Sequence, residues 1–179
     1  MVAAFRHAWK GYKDSAWGRD ELHPVSKTAD DWFGLGLTLI DGLDTMWLMG
    51  LTEEFAEARE WVSTSFHPAQ TAKDCNLFET TIRVVRPLNR SRITPRSLNL
   101  SGSRLEYIRA GQVGGLLSTY ALSSDKLFLT KAKELVVSME PAFNTKSGVP
   151  FSDVNPRSGR AHPCAPYSCS CWRWCPCWR

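Results

Sequence analysis

The sequence predicts an all-α fold made of helical hairpins. Two observations carry the prediction. Apolar residues recur at spacings of three and four in successive stretches, and no convincing alternating strand is present. Breaks containing Gly or Pro separate those stretches, so the helices are expected to fold back on one another in layers. A chain of 179 residues is long enough for one domain with a real core.

The first helix is expected over residues 2–17, with Phe5, Ala8, Trp9 and Tyr12 on one stripe. Gly18 and Pro24 bound a break in which Asp20 and Glu21 read as simple turn residues. A second helix is expected from Trp32 to Met49, capped by Asp30 or Asp31 and stopped by Gly50. Leu35, Leu39, Leu43, Met46 and Trp47 lie on its broad face, and further apolar residues around it imply burial on more than one side. A third runs from about Glu53 to Phe66, with acids at its positive end and Phe55, Ala58, Trp61 and Val62 inward. Another starts near Asn76. The last runs from about Asp125 to Met139 and closes at Pro141. Trp9, Trp17, Trp32, Trp47 and Trp61 are expected in the core.

Two segments break the pattern. Residues 85–112 hold six Arg, one Glu and no Lys, and residues 156–179 hold four Arg and no acid. Together they carry more positive charge than the whole chain's net +4, so the basic balance does not point to nucleic acid. Phe78 and Ile82 start a stripe that Pro87 would break. With residues 85–112 deleted, Val113, Leu117 and Tyr120 continue it at spacings of three and four. The segment opens on Val, whose codons begin GT, and closes on Gln, one of whose codons is CAG. These are the ends of a spliced intron, so 85–112 is read as a retained intron without regular structure. Residues 164–179 are a Cys- and Trp-rich tail with no pair of Cys-x-x-Cys motifs, read as a frame-shifted end.

Four motifs in order carry a resemblance: His7 to Tyr12; Ala16-Trp17-Gly18-Arg19-Asp20-Glu21-Leu22-His23-Pro24; Gly36-Leu37-Thr38-Leu39-Ile40-Asp41-Gly42-Leu43-Asp44-Thr45-Met46-Trp47; and Asn76 to Arg83. Val149 to Asn155 adds a fifth. The chain resembles glycoside hydrolase family 47, the class I α-1,2-mannosidases that trim N-linked glycans. The resemblance covers roughly residues 2–84 and 113–163, so residues 1–163, interrupted by 85–112, read as the N-terminal part of the barrel domain.

What the resemblance implies is a partial (α/α)7 barrel of helical hairpins, with an irregular insert and an irregular tail. It implies hydrolysis with inversion, which needs two carboxyl groups about 6.5–9.5 Å apart to admit a water. Glu79 matches the family's general acid. Arg83, one turn on, and Asp41 are expected at the sugar; Asp44 is expected there or bonded to backbone or Arg. No metal ligand is assigned, because the family's calcium-ligating Thr, its other acids and its later disulfide find no match. Calcium enters by resemblance only, and this fragment is not expected to bind it. The implied partner is a high-mannose N-glycan on a glycoprotein, with no nucleic acid. The implied place is the lumen of the endoplasmic reticulum or Golgi, with membrane contact only through an N-terminal anchor that is expected to be absent here. Met1 to His7 is no signal peptide, so any targeting sequence is expected to be absent or upstream. The 179 residues as written are expected to be inactive and marginally stable. The alternative is a non-catalytic glycan-binding or helical interaction short form.

Overall fold

The computed structural model describes residues 1–84 and 114–163; the expected insert and tail lie outside the described residues. Helix α1 spans Val2–Ala16, α2 Leu37–Leu48, α3 Thr52–Thr64, α4 Leu77–Val84, α5 Gly115–Ser123 and α6 Lys126–Met139. The helical expectation therefore holds. Five short strands are additions to it: β1 (Glu21–His23), β2 (Thr28–Asp30), β3 (Cys75–Asn76), β4 (Asp153–Asn155) and β5 (Arg160–His162). They are two or three residues long, too short to show an alternating pattern. β1 pairs antiparallel with β2, and β3, β4 and β5 form an antiparallel sheet in that order.

The helices form two layers. Salt bridges tie α1 to α3 (Arg6–Glu54 at 2.8 Å and Lys13–Glu57 at 2.6 Å) and tie α3 to the start of α6 (Arg59–Asp125 at 2.5 Å). Helices α2 and α5 lie against each other, with Leu39, Ile40, Leu43, Met46, Leu116 and Leu117 fully or almost fully buried. Gly115 faces Ile40 and Ser118 faces Asp44, so these two helices run parallel. A Cβ on Gly115 would stand 2.2 Å from the Ile40 carbonyl oxygen, so only glycine permits this approach.

Helix α2 begins five residues later than the sequence suggests. Asp30 and Asp31 do not cap it. Residues 32–36 instead form a loop held by Asp20, which is fully buried. Asp20 Oδ2 accepts the N–H groups of Phe33 and Gly34 at 2.5 and 2.6 Å; Oδ1 accepts those of Leu35 and Leu37 at 2.9 and 3.1 Å. Asp20 is thus no simple turn residue: it satisfies the backbone donors that precede and open α2. Gly36 takes a left-handed φ of 64° to turn this loop into the helix.

Two boundaries elsewhere are legible in the sequence. Gly50 ends α2 with φ 68°, its N–H bonding Trp47 O and the next N–H bonding Met46 O, a Schellman arrangement. Asp125 caps α6 by accepting the Leu127 N–H at 3.0 Å. The aromatic expectation holds only in part. Trp9 is in the core and Trp17 and Trp61 pack on it, whereas Trp32 and Trp47 are 44% and 42% exposed. Phe78, placed on the predicted buried stripe of α4, is 48% exposed; Leu77 and Thr80 are the buried residues of that turn.

Candidate active site

Helix α4 brings Glu79 to a defined place. The strand before it, β3, pairs with β4, and the Leu77 N–H bonds Ser152 O at 2.7 Å. Asn76 then does two things. Its Nδ2 donates to Asp153 Oδ1 at 3.2 Å, and its Oδ1 accepts the Glu79 N–H at 3.1 Å. Asn76 is therefore the cap of α4, and Glu79 sits in the first turn, partly buried. Sequence reasoning missed this cap. The signal was present: Asn76-x-x-Glu79 has the N-cap to N3 spacing of a capping box. Thr80, beside Glu79, is buried, and its hydroxyl has no hydrogen-bond partner among the described residues.

The two acids of α2 differ. Asp41 is exposed. Asp44 is half-buried and joins two helices: its Oδ2 accepts the Ser118 hydroxyl at 2.5 Å, and its Oδ1 accepts the Thr45 hydroxyl at 3.4 Å. Among the described residues these partners are hydroxyls. Since α2 packs against both α4 and α5, the helices carrying Glu79, Asp41 and Asp44 are adjacent. Arg83 belongs to α4, but its side chain lies outside the described part.

A second polar group lies on the three-stranded sheet. Asp74 accepts from Asn155 Nδ2 at 3.0 Å and meets His162 Nε2 at 3.2 Å. The Asn155 hydrogen bond first, and His162 after it, hold the Asp74 carboxyl below its ordinary range. The Pro163 carbonyl first, and Asp74 after it, raise His162 above its ordinary value. Beneath the sheet, burial pushes the Cys75 thiol up to about 12, with Asp20, Asp74 and Asp153 adding to the effect. That thiol is an inert part of the core.

Comparison with known proteins decides what this arrangement belongs to. The family described as glycosyl hydrolase family 47 matches residues 4–89 and 107–170. The chain belongs to that family. It is 50% identical over 162 residues to the endoplasmic reticulum mannosyl-oligosaccharide 1,2-alpha-mannosidase of Mus musculus, covering 90% of this chain and 20% of that protein. A mannosyl-oligosaccharide 1,2-alpha-mannosidase of Arabidopsis thaliana is 43% identical over 160 residues, covering 89% of this chain and 23% of the relative. Among solved structures, an alpha-1,2-mannosidase from Trichoderma reesei superposes with a TM-score of 0.66 at 28% identity, covering 92% of this chain and 31% of the other. The chain thus spans about a fifth of the length of these curated relatives. Its two helical layers are part of an (α/α)7 barrel.

Family membership raises the question of calcium. That ion takes six to eight oxygen ligands. Among the described residues, no group of three His, Cys, Asp or Glu converges as a metal site. The carboxylates of the sheet cluster already serve Asn76, Asn155, Ser152 and His162. The described residues do not fit a calcium shell. No described helix is long and apolar enough to cross a membrane.

Proposed function

We propose that this chain is the N-terminal part of an inverting α-1,2-mannosidase that trims high-mannose N-glycans, with Glu79 as its general acid. The observation that carries the reading is the family match across 4–89, with Glu79 set in the capped first turn of a helix packed on α2. Glu79 protonates the leaving glycosidic oxygen, directly or through one water. A second carboxyl, about 6.5–9.5 Å away, activates the attacking water. That second carboxyl is supplied by the part of the barrel that relatives have and these residues do not match. Asp41, Asp44 and Arg83 lie on the sugar side, with Asp44 also holding α5 through Ser118. Calcium belongs to this reading at the level of the family alone, and no step here uses it. The compartment is the secretory lumen, as the relatives named for the endoplasmic reticulum suggest.

Residues 1–179 alone lack the second carboxyl and do not turn over. Trp47, Leu48 and Phe78 are 42%, 68% and 48% exposed, the kind of apolar surface that the rest of a barrel covers. Release of mannose from an α-1,2-mannobiose by purified 1–179 would overturn this.

The test of the acid uses a chimera in which residues 4–84 replace the matching segment of the mouse relative. The folded chimera releases mannose, with the β-anomer formed first by NMR. Glu79→Gln in it lowers kcat by about 10²–10⁴-fold while circular dichroism stays unchanged. Full turnover by the Glu79→Gln chimera, or none by the folded parent, rejects the assignment.

A further inference from the structure

We infer that residues 85–112 interrupt a single inner helix, and that in the protein lacking them Ser118 positions Glu79 through that helix. The first half stands on four observations.

Helix α5 has no start signal of its own. Its N-cap is Gly114, with no side-chain hydrogen bond and no acid in its first turn. What serves it is α4: the Gly114 N–H donates to Thr81 O at 3.3 Å. A carbonyl in the last turn of one helix thus serves the N–H group at the start of the next. With 28 residues removed, this bond becomes an i to i−5 bond, one residue from the α-helical partner.

Both helices also pack on the same neighbour, α2. In the shortened numbering Gly115, Leu116 and Thr119 take the places of residues 87, 88 and 91. At about 100° per residue they share with Leu77 and Thr80 one face about 100° wide. All five are buried in the structure, as are Leu117 and Ser118 on other sides of α5. Lastly, the family match breaks between residues 89 and 107, inside this segment.

The second half follows from the clasp between α2 and α5. Ser118 bonds Asp44, and Gly115 seats against the Ile40 carbonyl, so two contacts about one turn apart oppose sliding and rotation of α5 on α2. On one continuous helix from Leu77 to Ser123, that clasp sets the height and rotation of Glu79. An inserted segment uncouples the two. This half rests on Glu79 being the acid; the continuity of the helix does not.

The experiment compares the full chain with three deletions: Δ85–112, Δ85–111 and Δ85–113. The last two leave the register one residue out, a rotation of about 100°. Δ85–112 is expected to fold with a higher Tm than the full chain and with amide exchange at Thr81 to Leu117 slowed about tenfold. The off-register deletions are expected to melt below it. If Δ85–112 fails to fold, or is no more stable than its off-register neighbours, continuity is overturned. Within Δ85–112, Ser118→Ala is expected to speed exchange at Glu79 and Thr80 about tenfold, with no such effect in the full chain. Equal effects in both, or none in Δ85–112, overturn the positioning while leaving the acid assignment to the chimera.

Discussion

The starts of helices α2 and α4 are built differently. Helix α2 is opened by Asp20, fully buried and 13 to 17 residues upstream of the four N–H groups it accepts. Helix α4 is opened by Asn76, adjacent and partly buried, which accepts one. The physical task is the same, because the first N–H groups of any helix lack partners within it. The difference is what water can repair. The Glu79 N–H at Asn76 is only partly buried, while three of the four N–H groups at Asp20, those of Phe33, Leu35 and Leu37, are buried.

That comparison yields the largest expected effect. Asp20→Ala removes the acceptor of four N–H groups, three of them buried, and is expected to cost about 4 kcal/mol or more, close to global unfolding. Asn76→Ala is expected to cost about 1 kcal/mol, the usual value of an N-cap. Urea unfolding followed by far-ultraviolet circular dichroism measures both. Equal losses would erase the distinction between the buried and the solvated start.

The next test moves from the helix starts to helix contact. Gly115→Ala forces a methyl to 2.2 Å from the Ile40 oxygen and is expected to cost about 1–3 kcal/mol through displacement of α5. Gly11 is also helical, but a methyl there would lie 3.8 Å from Leu22 Cδ2, in ordinary contact. Gly11→Ala is therefore expected to stabilise by roughly 0.5–1 kcal/mol, because alanine is the better helix former. The same substitution with opposite signs separates contact from propensity; matching signs in thermal melts would show that α2 and α5 do not touch as described.

The smallest effect is at the sheet that steadies the α4 start. His162 is raised, so its contribution is fully present below its ordinary value of about 6.5 and is lost as pH rises through the raised one. Asp74 is lowered, so its contribution is present above about 3.9 and is lost as pH falls through the lowered value. The pair therefore stabilises most between about pH 4 and 6.5. Both side chains are more than a third exposed, which limits the gain to a few tenths of a kcal/mol. The stability difference between the parent and His162→Ala should peak near pH 5–6 and shrink by about pH 9. A difference that grows with alkaline pH would mean the imidazole acts as a neutral packing group.

Much of this was legible. Helix spacing, the Gly50 stop and the Asp125 cap depend on residues within a few positions of one another, and each appears where local chemistry puts it. The misreadings share a cause. Asp20 followed a glycine and looked like a turn; its true partners lie a loop away. Phe78 and Trp47 were assigned inward by periodicity, but periodicity cannot say which neighbours are there to cover a face. The Asp44–Ser118 bond links residues 74 apart, and no spacing rule reaches that far.

By itself the sequence determined the all-helical class and the order of the motifs, since these are written in local periodicity and residue identity, and the family resemblance those motifs carry singled out Glu79 as the acid to test. Tertiary structure alone decided what Asp20 holds, that α2 and α5 run parallel through Gly115 and Ser118, and that the start of α5 rests on the end of α4. The reason is that a buried polar group must be satisfied by whatever the fold brings to it, and that partner is set by packing rather than by nearness along the chain.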